Sequence, residues 1–183
     1  VPGVRYESID FERRNLLNGA VGRTDLQQWI PGLGATWRVD EELTFFAGAH
    51  RGFAPPRVED IVTNAGGVVD LDAELSWNYE LGVRARPRPG VGLELTAFRM
   101  DFSNQIVPAS VAGGTGATLT SAGETLHQGL EALIDLARPL PAGLDGYARL
   151  AWTWLPDAEY VGTRFTSVPG SGTTRVTGNR LPY

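Results

Sequence analysis

The sequence predicts an all-β chain: an antiparallel transmembrane β-barrel segment of seven strands with the start of an eighth. Three observations carry this. From Ala73 to Ala85, Ala73, Leu75, Trp77, Tyr79, Leu81, Val83 and Ala85 are apolar, with Glu74, Ser76, Asn78, Glu80, Gly82 and Arg84 between them. That period of two marks a strand with one apolar and one polar face. The connections are short after Val39, Ala85 and Ala137 and long after Arg14, Ala54, Gln105 and Leu155, the asymmetry of an outer-membrane barrel with turns at one end and loops at the other. A strand from Val91 to about Val107 would reach roughly 50 Å at about 3.3 Å per residue, far beyond an ordinary strand. The apolar face is expected to meet lipid.

Composition excludes several classes. The 183 residues are 42% hydrophobic, with a mean hydropathy of -0.14. Alternation hides a lipid-facing surface inside such an average. No run approaches the roughly 20 apolar residues of a membrane helix. Net charge is -5 and all 16 basic residues are Arg; without a basic stripe, nucleic acid is not an expected partner. The lack of Cys excludes disulfide frameworks and thiolate metal sites. The chain opens V-P-G-V-R without an initiator Met or signal peptide, and G-N-R-L-P-Y begins an element at its end. The reading is one partial domain, residues 1–183, of a longer protein.

In order, Val4 to Arg14 is rich in strand formers, and a polar connection is expected from Asn15 to about Gln28. Leu33, Ala35, Trp37 and Val39 then share a face, Asp40-Glu41-Glu42 turns, and Leu43 to Phe53 rises to end at Ala54-Pro55-Pro56, since proline cannot continue the ladder. Arg57 to Leu71 is a loop. The hairpin Ala73–Gln105 turns at R-P-R-P-G (86–90). After a Gly-rich loop (111–117), a strand runs to about Ala137 with Leu126, Leu130, Ala132, Ile134 and Leu136 aligned. A turn at Pro139 to Gly143 leads into a strand carrying Leu144, Ala148, Leu150, Trp152 and Trp154, and Pro156 to Thr174 is long and mixed.

Counting eight residues from each short turn along the apolar face lands on Arg51, Trp77, Arg99, Gln128 and Trp152. A strand tilted about 40° climbs roughly 2.5 Å per residue, so this level lies about 20 Å up an apolar band roughly 25 Å tall. Trp, Arg and Gln there form a girdle. Arg51, Trp77, Arg99 and Trp152 are expected to contact outer-leaflet lipid or lipopolysaccharide, the guanidinium forks meeting phosphate. The opposite face carries Arg38, Glu80, Arg84, Glu94, Glu131, Asp135 and Arg149; one register places Arg84 opposite Glu94 and Glu131 opposite Arg149. A lumen so charged is filled by water or by another domain.

No His/Glu/Asp cluster has metal-ligand spacing, and no Gly-x-Ser-x-Gly or phosphate loop is present. Neither an enzyme nor a cofactor is expected.

Several stretches resemble TonB-dependent outer-membrane receptors: R-G-F-A-P-P-R-V-E-D-I (Arg51 to Ile61), W-N-Y-E-L-G-V-R (Trp77 to Arg84), L-T-A-F-R-M-D-F-S-N-Q-I (Leu95 to Ile106), S-A-G-E-T-L-H-Q-G-L-E (Ser121 to Glu131) and G-N-R-L-P-Y at the end. They stand in that family's order. The resemblance implies a 22-stranded barrel in the outer membrane of a Gram-negative bacterium, closed around a plug and importing scarce solutes with energy from TonB. The fourth stretch looks most like the ferric-citrate branch. The implied partners are outer-membrane lipid, the protein's own plug, TonB and a ferric chelate such as ferric citrate or a siderophore; neither plug nor TonB box lies in this chain.

Chemistry rather than motif nominates ligand residues: His50, Arg57, Gln105, His127 and Arg164 as upper-lumen or loop groups able to meet an anionic chelate. For each, plug contact or plain solvation is the simpler alternative. Phe98, Met100 and Phe102 share the inward phase and would form an aromatic floor or pack on the plug. The competing readings are a complete eight-stranded anchor or adhesin, a soluble lipid-carrying barrel, and a secreted hydrolase. The first wants a finished last strand, the second an apolar lumen, the third a nucleophile beside a base.

Overall fold

The computed structural model of the protein describes residues 1–108, 119–165 and 173–181. Seven strands form one antiparallel sheet in sequence order: β1 (Pro2–Arg14), β2 (Val21–Arg38), β3 (Leu43–Ala54), β4 (Glu74–Arg88), β5 (Val91–Pro108), β6 (Leu119–Leu140) and β7 (Leu144–Tyr160). A four-residue helix, α1 (Val58–Ile61), lies between β3 and β4. A separate hairpin pairs β8 (Thr163–Phe165) with β9 (Thr173–Arg175). The start of an eighth strand reduces to a bridge, Glu159 with Arg180.

Tight connections gather at one end of the sheet: residues 39–42, 89–90 and a 3-10 turn, Pro141–Gly143. The Asp40 carboxylate holds the first, accepting hydrogen bonds from the amides of Glu42 and Leu43, each at 2.8 Å. Gly90 closes the second at φ 76°, a conformation open chiefly to glycine. The connections 15–20 and 55–73 lie at the other end. Strands reach 22 residues in β6 and 18 in β2 and β5, well beyond the usual length of strands in globular proteins.

Several expectations need correction. The polar stretch Asn15 to Gln28 is mostly strand: β2 starts at Val21 and pairs continuously with β1, so only residues 15–20 form the connection. Leu26 faces Ile9 there, while Gln27, Asp25 and Arg23 occupy the outer face. Outer residues beyond an apolar band have water to face, so the apolar alternation that would have announced a strand is missing. β6 runs through Pro139 to Leu140, and β7 continues past Pro156 to Tyr160. Arg84 does stand opposite Glu94, with Arg84 Nε to Glu94 Oε2 at 2.6 Å. Glu131 instead faces Thr153, and Arg149 pairs with Asp135 at 2.6 Å. The turn beyond Leu140 places Leu140 against Leu144, four residues away from the anticipated register.

Among the described residues no second layer covers the sheet's outer face. Its large residues stand exposed: Leu33, Trp37, Leu81, Leu95, Leu150 and Trp152 among them. The hydrophobic cluster that the described residues do contain, Ile61, Val62 and Leu71, belongs to the β3–β4 connection. Among the described residues no helix is long and apolar enough to cross a membrane.

Candidate ligand-binding face and lipid rim

Strand pairing carries one inward rung across four strands: His50 on β3 faces Asn78 on β4, Asn78 faces Met100 on β5, and Met100 faces His127 on β6. One rung nearer the long-loop end, Gly52, Ser76, Phe102 and Thr125 repeat the alignment. Together they make a ledge on the inner face. Ser76, Asn78 and Thr125 are buried, and buried polar groups are satisfied by partners. Asn78 Nδ2 donates to Ser76 Oγ at 3.0 Å. His127 Nε2 lies 3.2 Å from Thr125 Oγ1, and its ring meets Phe102 edge-on, centroids 5.3 Å apart.

The two histidines cannot share a metal ion. Three strand steps of about 4.8 Å separate them, against metal–nitrogen bonds of about 2 Å. Among the described residues no group of three His, Asp or Glu side chains is placed to hold a metal. Cationic side chains are absent from both rungs, so the ledge offers imidazole, amide, hydroxyl, thioether and aromatic surface.

Of the five nominated ligand residues, the rung brings together His50 and His127. Gln105 lies farther up β5, opposite Gly123, beyond irregularities that include Asn104 at φ 57°, a conformation asparagine tolerates. Arg57 is exposed at the start of α1, where its carbonyl accepts the amides of Asp60 at 3.0 Å and Ile61 at 3.3 Å. Arg164 lies on β8, and its side chain falls outside the described residues. Asn78, Ser76 and Thr125 were not singled out from sequence; phase alone places them inward, and the rung became visible with the register.

Below the ledge the inner wall is charged, and Arg84 and Arg149 are paired there with Glu94 and Asp135. Phe46 lies flat across Gly82, where a β-carbon would clash with its ring. The Arg84 guanidinium sits 4.6 Å from that ring's centroid and is held by Glu94. Arg149 and Tyr147 both donate to Asp135, at 2.6 and 3.0 Å.

The residues expected at the rim all lie on strands of the sheet, in the outward phase. Arg51 faces Trp77 in the ladder, its guanidinium 5.6 Å from the ring centroid, within cation–π range. Arg51 Nε is buried and has no hydrogen-bond partner among the described residues. Arg99 is already engaged, its Nε and Nη2 reaching the Asp101 carboxylate at 2.9–3.1 Å. Gln128 donates to Asp157 at 2.7 Å. A Tyr6–Trp29 contact, centroids 4.7 Å apart, extends the aromatic rim to β1 and β2. Trp37 stacks on Phe45 near the tight turns, centroids 5.8 Å apart, a second belt at the opposite border.

The rim residues share a height, not a rung. Trp29 stands two residues beyond Pro31, which is next in line with Arg51; Trp77 pairs two residues beyond Arg99; Trp152 pairs four residues from Gln128, at Ala132. Tyr6 on β1 shares the rung of Trp29, so the drift is one-directional and totals eight residues from β1 to β7, about 20 Å at roughly 2.5 Å per residue. A ladder stepping about 4.8 Å per strand, in a sheet tilted about 40°, slopes by about 3 Å per strand, or about 18 Å from β1 to β7. The two agree, as a planar boundary on a tilted sheet requires.

All of the chain, residues 1–183, matches the family described as TonB dependent receptor-like, beta-barrel. The chain belongs to that family. Receptors of this family are outer-membrane β-barrels of Gram-negative bacteria. One relative of the receptor barrel is the ferric enterobactin receptor PirA of Pseudomonas aeruginosa, 37% identical over 109 residues, covering 48% of this chain and 15% of PirA. A solved siderophore receptor PirA from Pseudomonas aeruginosa superposes with a TM-score of 0.55 at 27% identity, covering 86% of this chain and 33% of that one. The FrpB iron transporter of Neisseria meningitidis gives a TM-score of 0.58 at 17% identity, covering 87% of this chain and 23% of that one, a likeness of fold. The chain thus spans a third or less of the length of these relatives, which are named as receptors and transporters.

Proposed function

We propose that this barrel segment is part of an outer-membrane receptor that captures a ferric siderophore at its loop end and imports it with energy from TonB. The observation that carries the reading is the two-sided sheet: an apolar outer face bounded by aromatic belts, and an inner face that carries the charged residues and the polar ledge. Lipid suits the first. The paired lower wall suits a plug of the same protein, and the ledge above it suits a ligand.

The chemistry of the ledge favours a bulky siderophore with aromatic groups over ferric citrate. A small, strongly anionic complex needs cations around it, and this part of the wall has none. The imidazoles of His50 and His127 beside Phe102 and Met100 instead offer hydrogen bonds next to a surface on which rings can pack, over the buried Asn78 amide and the Ser76 and Thr125 hydroxyls. That PirA is named a ferric enterobactin receptor supports the same direction. At the rim, Arg51 over Trp77 is the group we assign to an outer-leaflet phosphate, which its unpartnered Nε supports.

Radiolabelled iron uptake by cells producing the full-length receptor tests this reading. TonB-dependent uptake of ferric enterobactin, with ferric citrate failing to compete, is expected. Uptake of ferric citrate alone, or of neither chelate, would contradict it.

A further inference from the structure

The β3–β4 connection, residues 55–73, is a long loop at the mouth of a receptor barrel, yet it is packed like a core. Val62 is 0% exposed, and Ile61 and Leu71 are nearly as buried. Phe11 of β1 and Ile106 of β5 pack against the same cluster, so the loop reaches across the ends of five neighbouring strands. It lies over the inner face: Gly22 shares the inward phase of Leu26 and Ile30, and Phe11 and Arg13 face Thr24 and Gly22 across the ladder. At Gly22 a β-carbon would clash with Val62 Cγ1 and the Gly66 carbonyl oxygen. Only glycine lets the loop come this close.

Polar ties fasten both ends of the contact. Arg13 Nη1 donates to the carbonyls of Val62 at 2.5 Å and Glu59 at 3.4 Å, where the last turn of α1 leaves acceptors without helical partners. Asn15 Nδ2 donates to the Asn64 carbonyl at 3.0 Å. On the far side the Glu74 carboxylate accepts the Ile106 amide at 2.9 Å. The loop also closes on itself, through a Val62–Val68 bridge and a bond from the Val69 amide to the Ile61 carbonyl at 2.8 Å.

We infer that this loop is a permanently docked wall of the barrel mouth and stays in place while solute enters. Releasing it would expose the buried cluster and strand an arginine and several backbone groups together, so it opens as a unit or not at all. Entry therefore proceeds past its surface, and side chains it presents outward, Arg57 among them, act as fixed lining. The inference rests on the reading of the protein as a solute receptor.

Hydrogen exchange on the full-length receptor in lipid nanodiscs, with and without ferric enterobactin, decides it. The Val62 and Val69 amides are expected to stay protected, on the timescale of the strands, in both states. Exchange within seconds, or protection that changes with the chelate, would overturn it. A receptor that takes up no ferric chelate would contradict the proposed function, while exchange of these two amides still decides the loop.

Discussion

Leu95→Arg is the substitution for which the two-sided sheet makes its strongest demand. Leu95 is on the outer face of β5, between Val83 and Ala132, and is 47% exposed. It lies four residues above Val91, or about 10 Å at roughly 2.5 Å per residue, near the middle of an apolar band about 25 Å tall. Arginine at such a depth costs about 2–4 kcal/mol, which shifts the folding equilibrium by about 30- to 700-fold. Thr153→Arg is the control. Thr153 faces inward opposite Glu131, and the change there is expected to stay within about 0.5 kcal/mol. The assay is guanidinium titration of the full-length receptor in phosphatidylcholine vesicles, with the folded fraction read by heat-modifiable gel mobility. Equal stability of the parent and Leu95→Arg, or an equal loss in Thr153→Arg, would refute the placement of this face in lipid.

Other outcomes follow from the same geometry. Gly82→Val drives a branched side chain into the Phe46 ring and should destabilise by about 1–3 kcal/mol; Phe46→Ala in the same chain should recover much of it, and a purely additive double variant would count against the packing described. Arg51→Glu should reduce co-purifying lipopolysaccharide, whereas Arg99→Glu should reduce it less, because Asp101 already engages Arg99; unchanged retention in Arg51→Glu would remove the rim proposal. Asn78→Leu should weaken ferric enterobactin binding by about tenfold, from the lost hydrogen bonds of a buried amide, and leave folding in vesicles intact; wild-type affinity would take the ledge out of the site.

What could be read from sequence depended on which surroundings each face meets. β4 and β5 were legible from Ala73 to Gln105 because lipid on one side and water on the other force a clean alternation. The start of β2 was not, because Gln27, Asp25 and Arg23 stand above the lipid band, with water available to them. The Arg84–Glu94 pair was found because two residues, Pro89 and Gly90, pin that hairpin. Arg149 was assigned to Glu131 because the Pro141–Gly143 turn admits more than one register, and Asp135 turned out to be its partner. His50 and His127 were recognised as inward, but their common rung with Asn78 and Met100 depends on three registers at once. The docked loop left a fainter mark. Gly22 and Val62 lie forty residues apart, and nothing local to either predicts that one leaves room for the other.

The measurement that tests the central claim most directly is a site-by-site accessibility scan of β5 in the full-length receptor in bilayers. Spin labels on single cysteines at residues 93 to 98 would be exposed in turn to oxygen, which partitions into lipid, and to a water-soluble nickel complex. Residues 93, 95 and 97 should respond to oxygen, and 94, 96 and 98 should be shielded from it. Equal oxygen access at all six, or the opposite phase, would contradict a sheet with lipid on one face and a polar lumen on the other.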